Sequence, residues 1–406
     1  MTERDFLPIG ERCYSSTLPN GLSVYTVPRP DCLITHVLVG VQYGSMDTDF
    51  MVGSRSRHTP RGSAACLCEL LGNRCNVVDT CVTSTMSCYY QAIEGPPYDQ
   101  IRDILRKLLD AETDDAELTI AKQQLQAQQI LASFGRKAVV CAISNDKLML
   151  SSSGYPDERT AEKITRELLH ICHSAFYQPS NMVLCVIGDV RPLEVERAAA
   201  SASIVQKTPL VVRDYSAYRF NIDSAHEYTS AGNLAETSFT ALYYAECADS
   251  LKKQLISELA CEILFGQGSD LRDALKENAS LYDDLDIERR YTPEHTIILI
   301  TGAASNPAVF SEAVLNKSIR IAWNGLDDLC FEQAVQRVRN RKVSLLDDCK
   351  DTCLHLAQSH YLNACYFEFA EVLQRIEKYE AENYIRDTFK GENSILFAVY
   401  PKGALL

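Results

Sequence analysis

The feature that most constrains the fold of this 406-residue chain is a pattern that occurs twice. The segment 176–186 reads FYQPSNMVLCV, and 213 positions later the segment 389–399 reads FKGENSILFAV. In both segments a helical pattern ends in Phe, a short polar turn follows, and an apolar strand begins. The letters CELL at 68–71 also recur as CEIL at 261–264. Two matches in the same order favour duplication. The alternative is coincidence between two stretches of mixed helix and strand.

Helical and strand patterns are interspersed along both halves of the chain, with long connections between them. We therefore predict an α+β fold of two homologous domains, each a mostly antiparallel sheet with helices packed on one face. The predicted first domain covers residues 1–206 and the second covers 219–406. The polar, irregular stretch 207–218 is the predicted linker.

The composition excludes several classes of protein. A formal net charge of −14 argues against a nucleic-acid surface, which needs clustered Lys and Arg, and against binding to anionic membranes. The first residues carry charges of both signs and no apolar signal segment, and no apolar run is long enough to span a bilayer. The sixteen cysteines are spread along the chain in apolar contexts. This distribution is typical of reduced core thiols, so we expect a cytoplasmic protein.

Several segments, taken in order, carry a family resemblance. They are LPNGLSVYTVP at 18–28, VQYGSMD at 41–47, AFYQPSNMVLCVIGD at 175–189, FGQGSDL at 265–271 and LYDD at 281–284. Their order and spacing resemble the insulinase/pitrilysin metallopeptidases (inverzincins), in particular the bacterial YfmH/YfmF-like group. The resemblance covers nearly the whole chain. It implies the duplicated fold of that family.

Active members of that family carry His-x-x-Glu-His on the first long helix. Two His residues four positions apart lie on one helical face and bind zinc, and the Glu acts as general base toward the metal-bound water. The matching stretch here is GSAACLCE at 62–69. In this alignment Ala65 stands at the first His, Cys68 at the catalytic Glu, and Glu69 at the second His.

The resemblance also implies a third zinc ligand, a Glu on a later helix. The predicted helix 120–131 matches that element, and either Gln128 or Gln129 stands at the ligand position, with Gln128 in the preferred register. A neutral amide is a poor zinc ligand. We therefore predict no catalytic residue, no cofactor and no bound zinc, with Ala65, Cys68, Glu69 and Gln128 as the degenerate positions.

Other residues could in principle have replaced the lost metal site. Cys66 and Cys68 are two apart on a helix and so point in different directions, about 200° apart. His170 and His173 could chelate from one helical face, and a second cluster contains Cys349, Cys353, His355 and His360. Both clusters lie on predicted amphipathic helices, where structural roles are the more common ones. Neither falls at the family's active site.

The resemblance implies that two-domain members enclose a peptide only when two chains face each other, and that one chain of such a pair can lack the zinc site. The leading hypothesis is an inactive subunit that pairs with an active zinc peptidase in peptide processing. A second hypothesis is a stand-alone peptide-binding or scaffold protein that forms a homodimer. A third is a peptidase with a rearranged metal site.

Overall fold

The computed structural model describes residues 1–110, 114–132, 158–202, 210–216, 227–232, 235–277, 281 and 284–401. These residues form two compact units. The first unit contains the described residues up to 130, those from 158 to 216, and the segment Val343–Glu368. The second unit contains the described residues from 227 to 342 and from 369 to 401.

Each unit is built around one large sheet. In the first unit the strands β1 to β4 and β7 to β9 follow the order β1-β2-β3-β9-β4-β8-β7. Only β3 and β9 pair in parallel. The bounds are β1 Thr2–Phe6, β2 Glu11–Thr17, β3 Ser23–Pro28, β4 Ile34–Val41, β7 Asp79–Val82, β8 Ser87–Glu94 and β9 Met182–Gly188.

The second unit repeats this scheme with fewer strands. Its sheet has the order β11-β15-β12-β14-β13, in which only β11 and β15 are parallel. The bounds are β11 Glu227–Gly232, β12 Ser238–Glu246, β13 Asp286–Tyr291, β14 His295–Ala303 and β15 Ser394–Pro401.

The helices are numbered in chain order. Those before the second unit are α1 Ser63–Cys75, α2 Tyr98–Leu109, α3 Asp115–Ala132, α4 Glu158–Lys163, α5 Arg166–Phe176 and α6 Pro192–Ser201. The later ones are α7 Leu251–Phe265, α8 Asp270–Glu277, α9 Pro307–Asn324, α10 Asp328–Leu345, α11 Cys349–His360, α12 Phe369–Gln374 and α13 Lys378–Thr388. The predicted α+β class, with mixed helices and mostly antiparallel sheets, is confirmed.

The first unit's sheet is covered on both faces. On one face, α1, α2, α5 and α6 enclose a core in which Tyr43 stacks on Phe176 with ring centroids 4.4 Å apart. On the other face, α11 packs against β4 and β9. Every residue of β9 is therefore buried. Helices on one face alone were predicted for this sheet. The covering helix α11 lies about 160 residues after β9 along the chain, so no local pattern indicated it.

A small sheet joins the predicted linker to the first unit. It has the order β10-β5-β6, with β5 Asp49–Val52, β6 Arg55–His58 and β10 Val211–Asp214. Within the predicted linker 207–218, β10 thus pairs with β5. The segment Val343–Glu368, which falls inside the predicted second domain, packs with the first unit. The boundaries 1–206, 207–218 and 219–406 stay a prediction about the duplicated halves.

No helix in the described part of the chain is long and apolar enough to cross a membrane.

Candidate functional site

Helix α1 carries the stretch that matches the zinc motif, and two glycines determine how it packs. It begins after Gly62, whose φ of 85° lies in the left-handed region that favours glycine. Near its other end, Gly72 approaches β7 so closely that a Cβ there would lie 2.4 Å from Thr80 Cγ2. The helix is therefore held tightly against the strand at the edge of the sheet.

The three motif positions on α1 have different surroundings. Ala65 is buried and offers no ligand atom. The Cys68 thiol points into the sheet, where its sulfur lies 3.7 Å from the Cys88 carbonyl and 3.9 Å from the Cys81 carbonyl. Burial raises the Cys68 pKa well above its ordinary value, so this thiol stays protonated. Glu69 is half-buried and accepts a hydrogen bond of 3.4 Å from the Thr80 hydroxyl.

The third predicted position lies on α3, which contacts α1 through polar side chains. Asn73 Nδ2 donates to Gln124 Oε1 at 2.6 Å, and Arg74 pairs with Glu117 at 2.6 Å. Gln128 is half-buried one turn beyond Gln124, so it lies on the same face of α3. Its assignment to the lost ligand position stays a prediction.

Three histidines of the other candidate metal clusters contact backbone or aromatic groups of the fold. His173 Nε2 donates to the Leu108 carbonyl at 2.8 Å, and burial lowers the pKa of this histidine to about 4. His355 stacks on Tyr366, and His360 Nδ1 lies 3.2 Å from the Tyr25 hydroxyl. No group of three or more His, Cys, Asp or Glu in the described residues is arranged to hold a metal ion. The fifteen cysteines described are all free thiols.

We expect purified protein to contain substoichiometric zinc after dialysis, because Ala65 and Gln128 offer no anionic or imidazole ligand. Metal content measured by plasma mass spectrometry tests this, with the Glu69→Ala variant as the matched control. One zinc per chain that is lost in that variant would show that a rearranged site exists.

The second unit places a charged cluster at the counterpart of the motif. The match between 68–71 and 261–264 assigns Glu258 and Glu262 on α7 to the positions of Ala65 and Glu69. Glu262 lies 2.8 Å from Arg337 and 2.7 Å from Arg341. Both acids are buried and one helical turn apart, as two zinc ligands would be. Here, however, they bind side-chain cations.

Glu258 sits at the centre of this cluster. It lies 2.9 Å from Lys342 Nζ, 3.1 Å from Arg341 and 3.9 Å from Arg289. Burial by itself raises the pKa of a carboxyl group, but the Lys342 and Arg289 charges, followed by that of Arg341, lower it to about 2. Glu258 is therefore ionised at neutral pH, and the cluster is an internal ion network.

Sequence reasoning missed this network, although two signals for it were present. Glu258 and Glu262 are the two charged residues in the mostly apolar stretch 255–265, and Arg337 and Arg341 have the same four-residue spacing on α10. Two acidic residues four positions apart on one helix can form ion pairs with two basic residues four positions apart on a neighbouring helix. Which helices meet is decided by the tertiary fold.

The strand beside α1 is an end strand of the sheet that the described residues form. β7 stands at the end of the seven-stranded sheet and, in the described part of the chain, pairs only with β8. Its outer backbone groups can therefore bond to an added strand, as in peptide recognition by strand addition. This edge lies next to the degenerate motif, since Thr80 on β7 contacts Glu69.

Comparison with known proteins supports the resemblance. Residues 163–338 match the family model described as the peptidase M16 inactive domain. The chain is 20% identical to the uncharacterized zinc protease YmfH of Bacillus subtilis (strain 168), over 98% of this chain and 99% of that protein.

Two solved structures show the same fold. A putative M16-like peptidase from Alicyclobacillus acidocaldarius superposes with a TM-score of 0.85 at 18% identity, covering 96% of this chain and 98% of that one. The periplasmic protease PqqL from Escherichia coli matches with a TM-score of 0.70 at 12% identity, covering 98% of this chain but 48% of PqqL.

Proposed function

We propose that this chain, a degenerate member of the insulinase-type (M16) peptidase family that its matches support, is the non-catalytic subunit of a peptide-processing pair. In this proposal an active zinc peptidase of the same family is its partner. The observation that carries the proposal is that helix α1 packs closely against the sheet, while Ala65, Cys68 and Glu69 stand at the positions that the resemblance assigns to the zinc-binding and catalytic side chains.

The strand edge beside the motif supports this role. The close approach of α1 to β7 at Gly72 places the degenerate motif beside an end strand that, among the described residues, pairs only with β8. The edge of β7 can bind an extended peptide through backbone hydrogen bonds, which do not require zinc. We propose that the chain contributes this edge to peptide binding, while the partner supplies the chemistry.

The Escherichia coli protease PqqL offers a precedent for pairing two stretches of this size. This chain covers about half of PqqL, so that protein has room for two stretches of this size in one chain. Two separate chains can reproduce such an arrangement by association. We propose a cytoplasmic location for such a pair, because sixteen cysteines spread along the chain in apolar contexts are typical of reduced core thiols.

Co-expression tests the pairing. The chain carrying an affinity tag is produced together with an M16 homologue from the same genome that retains His-x-x-Glu-His. We expect an equimolar complex in size-exclusion chromatography with light scattering, and peptidase activity only in that complex or in the homologue. A matched control replaces the homologue's catalytic Glu by Gln, which should abolish activity and leave the complex intact.

Two outcomes would contradict the proposal in different ways. A stable homodimer that excludes the homologue would favour the stand-alone peptide-binding scaffold. Peptide hydrolysis by the isolated chain, abolished by a chelator, would favour a rearranged metal site. The second outcome is not expected, because the described residues contain no metal-binding group of three or more His, Cys, Asp or Glu side chains.

A further inference from the structure

Two cysteines face each other on the hairpin of β7 and β8. Cys81 and Cys88 are direct partners in the antiparallel register. The turn of the hairpin is closed by Thr83 N–H, which donates to the Met86 carbonyl at 2.8 Å. Counting outward from that bond makes Cys81 and Cys88 a hydrogen-bonded pair, with Cα atoms about 5.5 Å apart. That separation lies within the range that a disulfide bond spans.

The two thiols of this pair are not equivalent. Cys81 is exposed at the edge of the sheet, whereas Cys88 is buried. The Cys88 thiol donates a hydrogen bond to the Cys81 sulfur, and this bond is the main reason that the pKa of Cys81 is lowered. Burial and the Asp79 carboxylate raise the pKa of Cys81 and so partly offset this effect, whereas the Lys350 ammonium lowers that pKa further. Cys81 thus has both the access and the thiolate character of a reactive cysteine.

We propose that Cys81 and Cys88 are an oxidant-sensitive dithiol, in which exposed Cys81 is the attacking residue and buried Cys88 the resolving residue. This inference does not depend on the proposed function.

The reaction with a hydroperoxide is balanced by these two residues alone. The Cys81 thiolate attacks one oxygen of hydrogen peroxide, the O–O bond breaks, and Cys81 becomes a sulfenic acid as hydroxide leaves. The Cys88 thiol then attacks the Cys81 sulfur, the S–O bond breaks, and water leaves as the disulfide forms. Two thiols and one peroxide give one disulfide and two waters. A thiol such as glutathione restores the pair by exchange.

A second thiol pair in the first unit offers an internal control. Cys13 and Cys365 also hydrogen-bond to each other, but both are buried, with 3% and 7% of their surface exposed. Since oxidation requires access to the attacking thiol, this pair should react much more slowly than Cys81 and Cys88.

Differential alkylation of the full chain tests the proposal. Protein treated with an equivalent of hydrogen peroxide is alkylated under denaturing conditions and cut with trypsin. Cys75, Cys81 and Cys88 fall in one peptide, residues 75–102, because Arg74 and Arg102 are the flanking cleavage sites. We expect this peptide to carry three labels before oxidation and one label, on Cys75, afterwards. Peptides containing Cys13 and Cys365 should stay fully labelled.

Two single variants separate the roles of the residues. In the Cys88→Ser variant, peroxide should leave a sulfenic acid on Cys81 that dimedone traps. In the Cys81→Ser variant, the rate at which peroxide oxidises peptide 75–102 should fall by at least about tenfold. Native circular dichroism of both variants establishes that they are folded. Unchanged labelling of 75–102 after oxidation, or equal oxidation of Cys13 and Cys365, would overturn the proposal.

Discussion

Replacing Glu258 by Gln should lower the free energy of unfolding by about 3 kcal/mol, because it leaves the cations around it without their central carboxylate. Glu258 is buried, and Lys342 Nζ, only 2.9 Å away, has 12% of its side chain exposed. The Gln side chain has nearly the same shape as Glu. The loss in the free energy of unfolding therefore measures the contribution of the carboxylate charge. Urea denaturation followed by circular dichroism at pH 7 measures it.

The matched control for this variant is Glu288→Gln on β13. Glu288 pairs with Arg290 at 2.6 Å, but half of its side chain is exposed. Exposed ion pairs contribute roughly 0–1 kcal/mol, so this variant should unfold almost as the wild type does. Equal destabilisation by the two substitutions would show that the buried network has no special role in stability.

The same network predicts how stability changes in acid. The pKa of Glu258 is lowered to about 2 in the folded protein, while an unfolded Glu titrates near about 4.3. A lowered folded-state pKa means that the carboxylate stabilises the fold above about pH 5, and that this contribution is lost as the pH falls towards 2. The Glu258→Gln variant lacks this group and should show a correspondingly weaker loss of stability in that range.

Replacing Asp47 by Ala should also destabilise the protein, by about 3 kcal/mol, because several buried donors lose their acceptor. The Asp47 side chain is fully buried and accepts from Gly44 N–H at 2.7 Å and from the Tyr215 hydroxyl at 2.7 Å. It also lies 3.0 Å from Arg213 Nε. Thermal and urea unfolding measure the loss.

Asp49→Ala is the control for this second variant. Asp49 is two residues away and pairs with His58 at 2.7 Å, but His58 is three-quarters exposed. We expect an effect below about 1 kcal/mol. Because Tyr215 and Arg213 lie within or next to β10, the Asp47 variant should also expose Arg213 to limited tryptic cleavage, while the Asp49 variant should not.

Local patterns predicted much of this molecule. Gly62 and the apolar residues that follow it predicted the helix that the structure shows as α1, whereas the loss of the zinc site at Ala65, Cys68 and Glu69 stays a prediction. The apolar strand predicted to begin within the segment 176–186 is β9, Met182–Gly188. These features depend on interactions between residues close in sequence.

Features that depend on distant residues were not predicted. β10 falls in a stretch that is polar and irregular by pattern, and it becomes a strand because β5 supplies its hydrogen-bonding partner. The network of Glu258 requires α7, α10 and β13 to meet. The packing of α11 on β9 joins residues that are far apart in sequence, and such contacts leave no periodic signal.

The packing of α11 has a consequence for synthesis on the ribosome. β4 and β9 are complete once residue 188 has emerged, yet the helix that covers their second face is not translated until residues 349–360. During the intervening 160 residues, side chains such as Leu38 and Cys185 have no native cover. The native packing of the first unit can therefore be completed only after residues 349–360 have been translated, and until then one apolar face of its sheet lacks its covering helix.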